Sequence, residues 1–256
     1  MSVRVAIAGV TDQGRQRKRN EDTLLVDPAA GLALVADGMG GHRAGDVASR
    51  LAAAELHERI AAAPPASMSV SEGSRSPLGE RMAEAVLRAD ARVRAEGVGG
   101  GDQEGMGTTL TALVLRPEDR RAVIGHVGDS RAYRYEGGRL RQITRDHTWV
   151  QEQIDAGRLS PGDAHGHPYS HVLAQAVGVG DDVVPDVIET EAAVGQLHLL
   201  CTDGLTNMLT ETAMERILED TLPAGLEATA RALVDAANER GGADNITVVL
   251  ARLENV

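Results

Sequence analysis

The order of strand-forming and helix-forming segments in this sequence predicts an α+β fold. Short strand-forming runs follow one another in groups joined by turns, and helix-forming segments occur in separate pairs rather than after every strand. An alternating strand and helix pattern would have predicted a parallel sheet, and no internal repeat is visible. We therefore expect layers of antiparallel sheet and paired helices.

The first half of the chain is expected to form three strands and a helix pair. Three apolar runs bounded by turn residues predict the strands: Val3 to Ala8, Thr23 to Val26 and Leu32 to Ala36. Apolar residues then recur at helical spacing: Ala48, Ala52, Leu56 and Ile60. Pro64 and Pro65 end this helix, because proline lacks the backbone donor that a helix interior needs. A serine-rich loop over 66–77 and a second helix over about 78–96 follow.

The second half is expected to add a run of strands, a long flap and two late helices. Four strands joined by short turns predict an antiparallel meander: Thr108 to Leu115, Arg121 to His126, Arg131 to Tyr135 and Leu140 to Ile143. The flap covers about 146–178, with a short helix over 149–156 and irregular polar sequence over 157–178. The last strands are expected at Val183 to Glu189, Gln196 to Thr202 and Ile246 to Leu253, and the late helices at Ala213 to Leu218 and Leu226 to Asn238.

Composition and charge limit the class of protein. A chain of 256 residues, 42% of them hydrophobic, can bury a large core and is expected to form a single domain over residues 1–256. A net charge of -12 argues against nucleic acid or a membrane as the main partner. Cys201 is the only cysteine, so an intramolecular disulfide is excluded. No signal peptide or long apolar run is visible, and we expect a soluble, cytoplasmic protein.

Isolated aspartates stand at the ends of apolar runs or beside glycine, far apart in the sequence. They are Asp22, Asp37, Asp129, Asp203 and Asp244. A lone carboxylate at the edge of a core is expensive to desolvate, so repeated placements of this kind predict a shared cation. Taken singly, each aspartate–glycine pair is also an ordinary turn. Ligands that are all oxygen favour the hard cations Mg²⁺ or Mn²⁺ over zinc.

A cationic cluster directly precedes the first carboxylates. Arg17 and its basic neighbours stand just before Glu21 and Asp22. A guanidinium group there would bind phosphate close to an acidic metal shell. A solvated charged turn is the alternative interpretation of this cluster taken alone.

Six motifs occur in one order along nearly the whole chain. They are Arg17 to Asp22, Val35 to His42, Gly107 to Thr109, Gly128 to Arg131, Cys201 to Leu205 and Asp244 to Val249. Together they resemble the metal-dependent protein phosphatases of the protein phosphatase 2C type, in its bacterial branch. The resemblance implies a four-layer α-β-β-α sandwich of two mainly antiparallel sheets flanked by helix pairs. It also implies a serine/threonine protein phosphatase that hydrolyses phosphoserine and phosphothreonine by attack of a hydroxide bridging two divalent metal ions.

The resemblance implies a set of metal ligands. Asp37 would bridge two Mn²⁺ or Mg²⁺ ions, and the Gly38 carbonyl would bind one of them. Asp203 and Asp244 would hold the other ion. Asp129 matches a position that, with Asp203, binds a third and weaker metal, although a simple turn at Asp129 is the alternative.

Other matched residues would act on the substrate or on bound water. Arg17 would hold the phosphoryl oxygens, so that Arg17 and Asp37 are the expected catalytic residues. Glu21 and Asp22 would orient metal-bound waters from outside the ligand set. His42 is a candidate general acid, because a histidine titrates near the working pH, with a surface histidine as the alternative.

The flap departs from the common bacterial pattern at two positions. Gln175 stands where an arginine is frequent, and His171 where an asparagine is frequent, which leaves flap order and substrate preference open. The implied partners are phosphorylated proteins, including serine/threonine kinases and their targets, and a monomer is expected. Two alternatives remain: a catalytically weak phosphoprotein-binding regulatory module of the same fold, or a hydrolase of small phosphate esters.

Overall fold

The strands of the protein form two five-stranded antiparallel sheets. The computed structural model describes residues 2–40, 44–62, 75–98, 105–164, 166–180 and 183–256. The first sheet has the order β1 (Val3–Asp12), β12 (Ile246–Asn255), β11 (Leu197–Cys201), β8 (Arg131–Glu136) and β9 (Arg139–Gln142). The second sheet has the order β10 (Asp186–Glu191), β7 (Arg121–Val127), β6 (Leu110–Arg116), β3 (Leu32–Ala36) and β2 (Thr23–Asp27). A separate two-stranded pair joins β4 (Gly38–Met39) to β5 (Gly107–Thr108).

The long helices lie in two pairs, one on each sheet. Helices α1 (Ala44–Ala61) and α2 (Pro77–Gly97) pack on each other and on the second sheet. Helices α6 (Glu211–Thr221) and α7 (Leu226–Glu239) pack on each other, and α7 packs on β1 and β12 of the first sheet. Three short α-helices are also described, α3 (Trp149–Asp155), α4 (Pro161–Ala164) and α5 (Asp203–Thr206), and a 3-10 turn over Leu222–Ala224 joins α6 to α7. None of the described helices combines the length and hydropathy needed to cross a membrane.

Strand β3 shows why the central strands are apolar along their whole length. Leu34 packs in the core between the second sheet and helices α1 and α2. Val35, the next residue, packs in the core between the two sheets, together with Leu200 and Val249 of the first sheet. Because successive side chains point to opposite faces, a strand buried on both faces needs a continuous apolar run. The structure therefore confirms the four-layer α-β-β-α sandwich.

The expected meander is wrong in one respect, because its two hairpins belong to different sheets. Strands β6 and β7 lie in the second sheet, and β8 and β9 lie in the first. The chain passes between sheets at Gly128, whose φ of 107° favours glycine. A Cβ atom at this position would lie 2.7 Å from side-chain atoms of Thr109. This crossing turn places Asp129 between the two sheets.

The other predicted elements are present with shifted ends. The strand expected at 183–189 runs instead from Asp186 to Glu191, and the irregular part of the flap contains α4. The β4–β5 pair and α5 were not predicted, because elements of two to four residues carry too little periodicity. Pro77 begins α2, and Ser76 caps this helix by accepting a hydrogen bond from the Gly79 amide. Pro64, Pro65 and most of the serine-rich loop lie outside the described residues.

Candidate metal centre

The five predicted aspartates converge at one end of the sandwich, where strand ends from both sheets meet. Asp22 precedes β2 and Asp37 follows β3, while Asp203 follows β11 and Asp244 precedes β12. Asp129 lies on the crossing turn between β7 and β8. All except Asp22 line a cleft of about 1320 Å³, together with Arg17, Glu21 and Gly38. Convergence of residues so distant in sequence argues against separate ordinary turns.

The backbone around Asp37 is held by two threonines that sequence reasoning left without a role. The Asp37 amide donates to Thr109 Oγ1 at 2.9 Å, and the Asp37 carbonyl accepts from Thr108 Oγ1 at 2.8 Å. The next residue must be glycine, because a Cβ at Gly38 would lie 2.1 Å from the Gly45 carbonyl oxygen. Burial raises the pKa of Asp37 well above its usual range, and neighbouring carboxylates such as Asp22 raise it further.

Asp22 lies beside the cleft and is buried, with 9% of its surface exposed. Its Oδ2 accepts hydrogen bonds from Thr202 Oγ1 at 2.8 Å and Thr247 Oγ1 at 2.6 Å. Its Oδ1 is buried and has no hydrogen-bond partner within the part of the chain that the structure describes. Burial raises the pKa of Asp22 to about 7, against the lowering effect of the two threonine hydrogen bonds. Thr202 and Thr247 lie close to the motifs at 203 and 244. Threonine is common in strands because it is β-branched, so its presence there gave no sign of a hydrogen bond to Asp22.

Asp203 is the first residue of α5 and points into the same cluster. Its Oδ2 accepts from Asn207 Nδ2 at 3.0 Å, while its Oδ1 is buried and has no hydrogen-bond partner among the described residues. Burial and the nearby charge of Asp244 raise the pKa of Asp203, and the hydrogen bond from Asn207 is among the contacts that oppose this rise. A carboxylate enclosed beside other carboxylates is costly to keep charged, which explains the direction of the shift.

Arg17 reaches the carboxylates, and its observed partner is a predicted metal ligand. Its Nη2 donates to Asp244 Oδ2 at 2.6 Å, with about half of the Arg17 side chain exposed. Burial lowers the pKa of Arg17, but the hydrogen bond to Asp244 and the charges of Asp37 and Asp203 outweigh it and raise the pKa. The guanidinium group is therefore placed at the carboxylate cluster, as the sequence predicted.

The loop that carries Arg17 is fixed by Asn245, which sequence reasoning also left without a role. Asn245 Oδ1 accepts from the Glu21 amide at 2.8 Å. Its Nδ2 donates to the carbonyls of Gln13 at 2.9 Å and Arg19 at 2.7 Å. The pKa of Glu21 is raised, mainly by burial and to a smaller extent by the charge of Asp46. The Asn245 side chain thus binds the Arg17 loop on both sides of Arg17, at Gln13 before it and at Arg19 and Glu21 after it.

Asp129 faces the cleft from the crossing turn. Burial raises its pKa to about 7, with further contributions from Asp203 and Asp146. Arg131 opposes this rise, but its guanidinium is held by Asp146 through Nε at 2.9 Å and Nη2 at 2.7 Å. Thr109 Oγ1 and Ser130 Oγ lie 2.7 Å apart and tie this turn to the backbone of Asp37.

Two flap residues that the sequence analysis singled out line the cleft. His171 and Gln175 are both part of the cleft wall. Gln175 Oε1 accepts from the Val184 amide at 2.8 Å, so this side chain fixes the segment after the flap. His42 lies outside the described residues.

The residues of this centre fit a hard divalent cation. Unpaired buried oxygens on Asp22 and Asp203, and raised carboxyl pKa values, are what a cluster built to bind positive charge would show. Within the described ranges, however, no three or more His, Cys, Asp or Glu side chains stand in a finished metal-binding arrangement. Asp244 Oδ2 is engaged by Arg17 and Asp203 Oδ2 by Asn207, so small side-chain rotations are needed before these groups could share an ion.

Comparisons with known proteins agree with this fold and site. Residues 12–237 match the family described as protein phosphatase 2C. The serine/threonine phosphatase stp of Listeria monocytogenes is 39% identical over 94% of this chain and 92% of its own length. The serine/threonine protein phosphatase PstP of Mycobacterium tuberculosis is 38% identical over 95% of this chain, which spans 44% of that longer protein. A solved structure of the PstP catalytic domain in complex with two manganese ions has a TM-score of 0.84 and 33% identity, covering 99% of this chain and 100% of that one.

The fold and the cleft define an enzyme of the phosphoric monoester hydrolase class. The chain belongs to the protein phosphatase 2C family. The family resemblance noted in the sequence and the predicted α+β fold are both confirmed.

Proposed function

We propose that the chain is a Mn²⁺- or Mg²⁺-dependent serine/threonine protein phosphatase that hydrolyses phosphoserine and phosphothreonine in proteins. The observation that carries the proposal is that four aspartates and Arg17 line one cleft, with Asp22 beside them, in a member of this family. Relatives 34–39% identical are named serine/threonine or protein phosphatases. One solved relative is described with two manganese ions.

Five residues are the proposed metal ligands. Asp37 and the Gly38 carbonyl would hold one ion, and Asp37 would share its carboxylate with a second. Asp203 and Asp244 would complete the second site, and Asp129 with Asp203 would form a weaker third. Two such ions neutralise phosphate charge and activate water at neutral pH.

The remaining residues of the centre would position the reactants. Arg17 would bind phosphoryl oxygens, because its half-exposed guanidinium already stands at the carboxylates and can turn from Asp244 toward the open cleft. Asp22 and Glu21 would hold water protons in a fixed orientation, since the two threonines fix Asp22 and Asn245 fixes Glu21. His42 stays a candidate for protonating the leaving alkoxide.

The cleft has room for more than a phosphate group. Its far wall is formed by flap residues such as Val150 and Ile154, and its volume is about 1320 Å³. Small ligand pockets span about 300–1,000 Å³, so a cleft of this size favours part of a polypeptide over a small phosphate ester. Retention of Asp37, Asp203 and Asp244 favours an enzyme over a regulatory module without activity.

Three finer expectations remain proposals. We propose that residues 1–256 act as one catalytic domain and that the protein works as a monomer. Phosphorylated kinases and their targets are the proposed partners. The cytoplasmic location stays a prediction from the sequence.

The proposal is tested by hydrolysis of a phosphothreonine peptide and of 4-nitrophenyl phosphate, with Mn²⁺ and with a chelator. We expect Mn²⁺-dependent turnover of both substrates. Asp203→Asn should abolish turnover and weaken Mn²⁺ binding measured by calorimetry, because a neutral amide replaces a carboxylate ligand. Asp220→Asn, which changes an exposed aspartate on α6, is the matched control and should behave as the wild type. Activity that survives both chelation and Asp203→Asn would contradict the two-metal proposal.

A further inference from the structure

We infer that Asp90 on helix α2 is a positioning residue that fixes the returning end of the flap and so determines how well the cleft binds a peptide. Asp90 is buried in the helix layer, and no role in the chemistry has been assigned to it above. The inference rests on the proposed function, because it concerns how that function selects polypeptide substrates.

Asp90 holds the point where the flap rejoins the body of the protein. Its Oδ1 accepts a hydrogen bond from the Gly178 amide at 2.7 Å. Its Oδ2 accepts from Arg94 Nε at 2.7 Å, and Arg94 Nη1 donates to the Gly180 carbonyl at 2.7 Å. Asp90 and Arg94, a helical turn apart, therefore bind the last residue of the flap, Gly178, and the chain just after it at Gly180. Hydrogen bonds with charged partners of this kind are among the stronger ones in proteins.

The flap backbone at Gly178 lies too close to α2 to accommodate a side chain. Gly178 has a φ of 93°, and a Cβ there would lie 2.3 Å from Val93 Cγ1 of the same helix. The glycine thus lets the flap backbone lie directly on α2. An unpaired Gly178 amide at this partly buried junction, facing the buried Asp90 carboxylate, would be costly, so Asp90 determines whether the junction stays closed.

The same junction is joined to the metal centre by the backbone. Val177 and Thr108 exchange two hydrogen bonds, each 2.9 Å long. Thr108 also pairs with Gly38 and donates its hydroxyl to the Asp37 carbonyl. The flap end is consequently one more strand-like segment beside β4 and β5, and its position relative to Asp37 follows from the position of Gly178.

The part of the flap that Asp90 fixes forms a wall of the cleft. Leu173, Ala174, Gln175, Ala176, Val179 and Gly180 all line it. A substrate polypeptide reaches this wall, whereas a small aryl phosphate needs only the carboxylates and Arg17. Loosening of the flap end should therefore weaken peptide binding while the chemistry at Asp37, held by Thr108 and Thr109, continues.

The test compares three variants on α2. Asp90→Ala removes both acceptors, whereas Asp90→Asn keeps an oxygen for the Gly178 amide and loses the charge. Glu84→Ala is the matched control, because it breaks an exposed i,i+4 pair with Arg88 on the same helix. The measurements are amide hydrogen exchange at Gly178, and kcat and KM for a phosphothreonine peptide and for 4-nitrophenyl phosphate.

For Asp90→Ala we expect Gly178 exchange to be about 10- to 100-fold faster, the range that loss of one charge-assisted hydrogen bond implies. The peptide KM should rise about tenfold, while kcat for the peptide and kcat/KM for 4-nitrophenyl phosphate change less than about twofold. Asp90→Asn should restore most of the peptide KM, and Glu84→Ala should match the wild type. Unchanged exchange at Gly178, or equal loss with both substrates, would overturn the inference. A wild type that hydrolyses neither substrate would instead overturn the proposed function and leave the exchange result standing.

Discussion

Replacing Asp22 by asparagine should change how the stability of the metal-free protein depends on pH. Asp22 is buried, its Oδ1 has no hydrogen-bond partner in the described ranges, and burial raises its pKa from 3.8 to about 7. Asparagine has nearly the same shape and can accept from Thr202 and Thr247 through one oxygen. It carries no charge at any pH, so the variant lacks the cost of burying a carboxylate.

The size of the effect follows from proton linkage. Between the unfolded pKa of 3.8 and the folded pKa of about 7, the folded protein keeps a proton that the unfolded chain has lost. Stability therefore falls as pH rises through this window, by about 1.4 kcal/mol per pH unit for one group. From pH 5.5 to pH 8 the loss for Asp22 alone is about 2 kcal/mol, because it ends near pH 7. The variant should gain at least this amount relative to the wild type, because removal of the Asp22 charge also removes part of the rise in the Asp37 pKa.

The assay is urea unfolding of both proteins in chelator at pH 5.5, 6.5 and 8. The lowered pKa values of buried His126 and His198, each about 4, act in the opposite direction but are common to both proteins and cancel in the difference. The melting temperature of the variant should gain about 4–8 °C on the wild type over the same pH interval. Asp220→Asn on α6 is the control. A difference in unfolding free energy that stays constant with pH, or that changes in the other direction, would refute the reasoning.

Two further substitutions test the role of Arg17 and the tight packing at Gly204. Arg17→Ala should lower kcat/KM for a phosphothreonine peptide about 10²–10³-fold, and calorimetry should show Mn²⁺ binding at least as tightly, because Asp244 loses a competing cation. Weaker Mn²⁺ binding in this variant would contradict the assigned role. Gly204→Ala should cost about 3 kcal/mol in chemical unfolding, because the new Cβ would lie 1.9 Å from the Asn245 carbonyl oxygen. Gly162→Ala, where the nearest atom is 3.8 Å away, should leave stability nearly unchanged, and similar losses in both variants would argue against the clash.

The meeting of the aspartates was predictable because each one marks the end of an apolar run. Asp37 follows a strand buried on both faces, and Asp203 follows another. Strand ends of this kind lie together at one end of a sandwich, so the carboxylates were expected to lie close to one another in the folded protein. Their individual roles came from the family resemblance rather than from spacing, and those roles stay predictions.

Other features depended on contacts that a sequence does not display. The β6–β7 and β8–β9 hairpins on either side of Gly128 have the same local sequence pattern of two strands and a short turn. Only long-range packing assigns them to different sheets. Asn245, Thr202 and Thr247 act through hydrogen bonds to residues more than 40 positions away. A polar side chain near a glycine turn gives no local sign of so distant a partner.

The crossing of the chain at Gly128 has a consequence for how the protein matures. Asp22 and Asp37 border strands of the second sheet, Asp203 and Asp244 border strands of the first, and Asp129 stands on the segment between them. A chain with only one sheet formed would position at most three of the five carboxylates and could not assemble the centre. A newly made chain therefore acquires its centre only when both halves of the sandwich have docked, so unfinished molecules in the cell would be inactive rather than unselective.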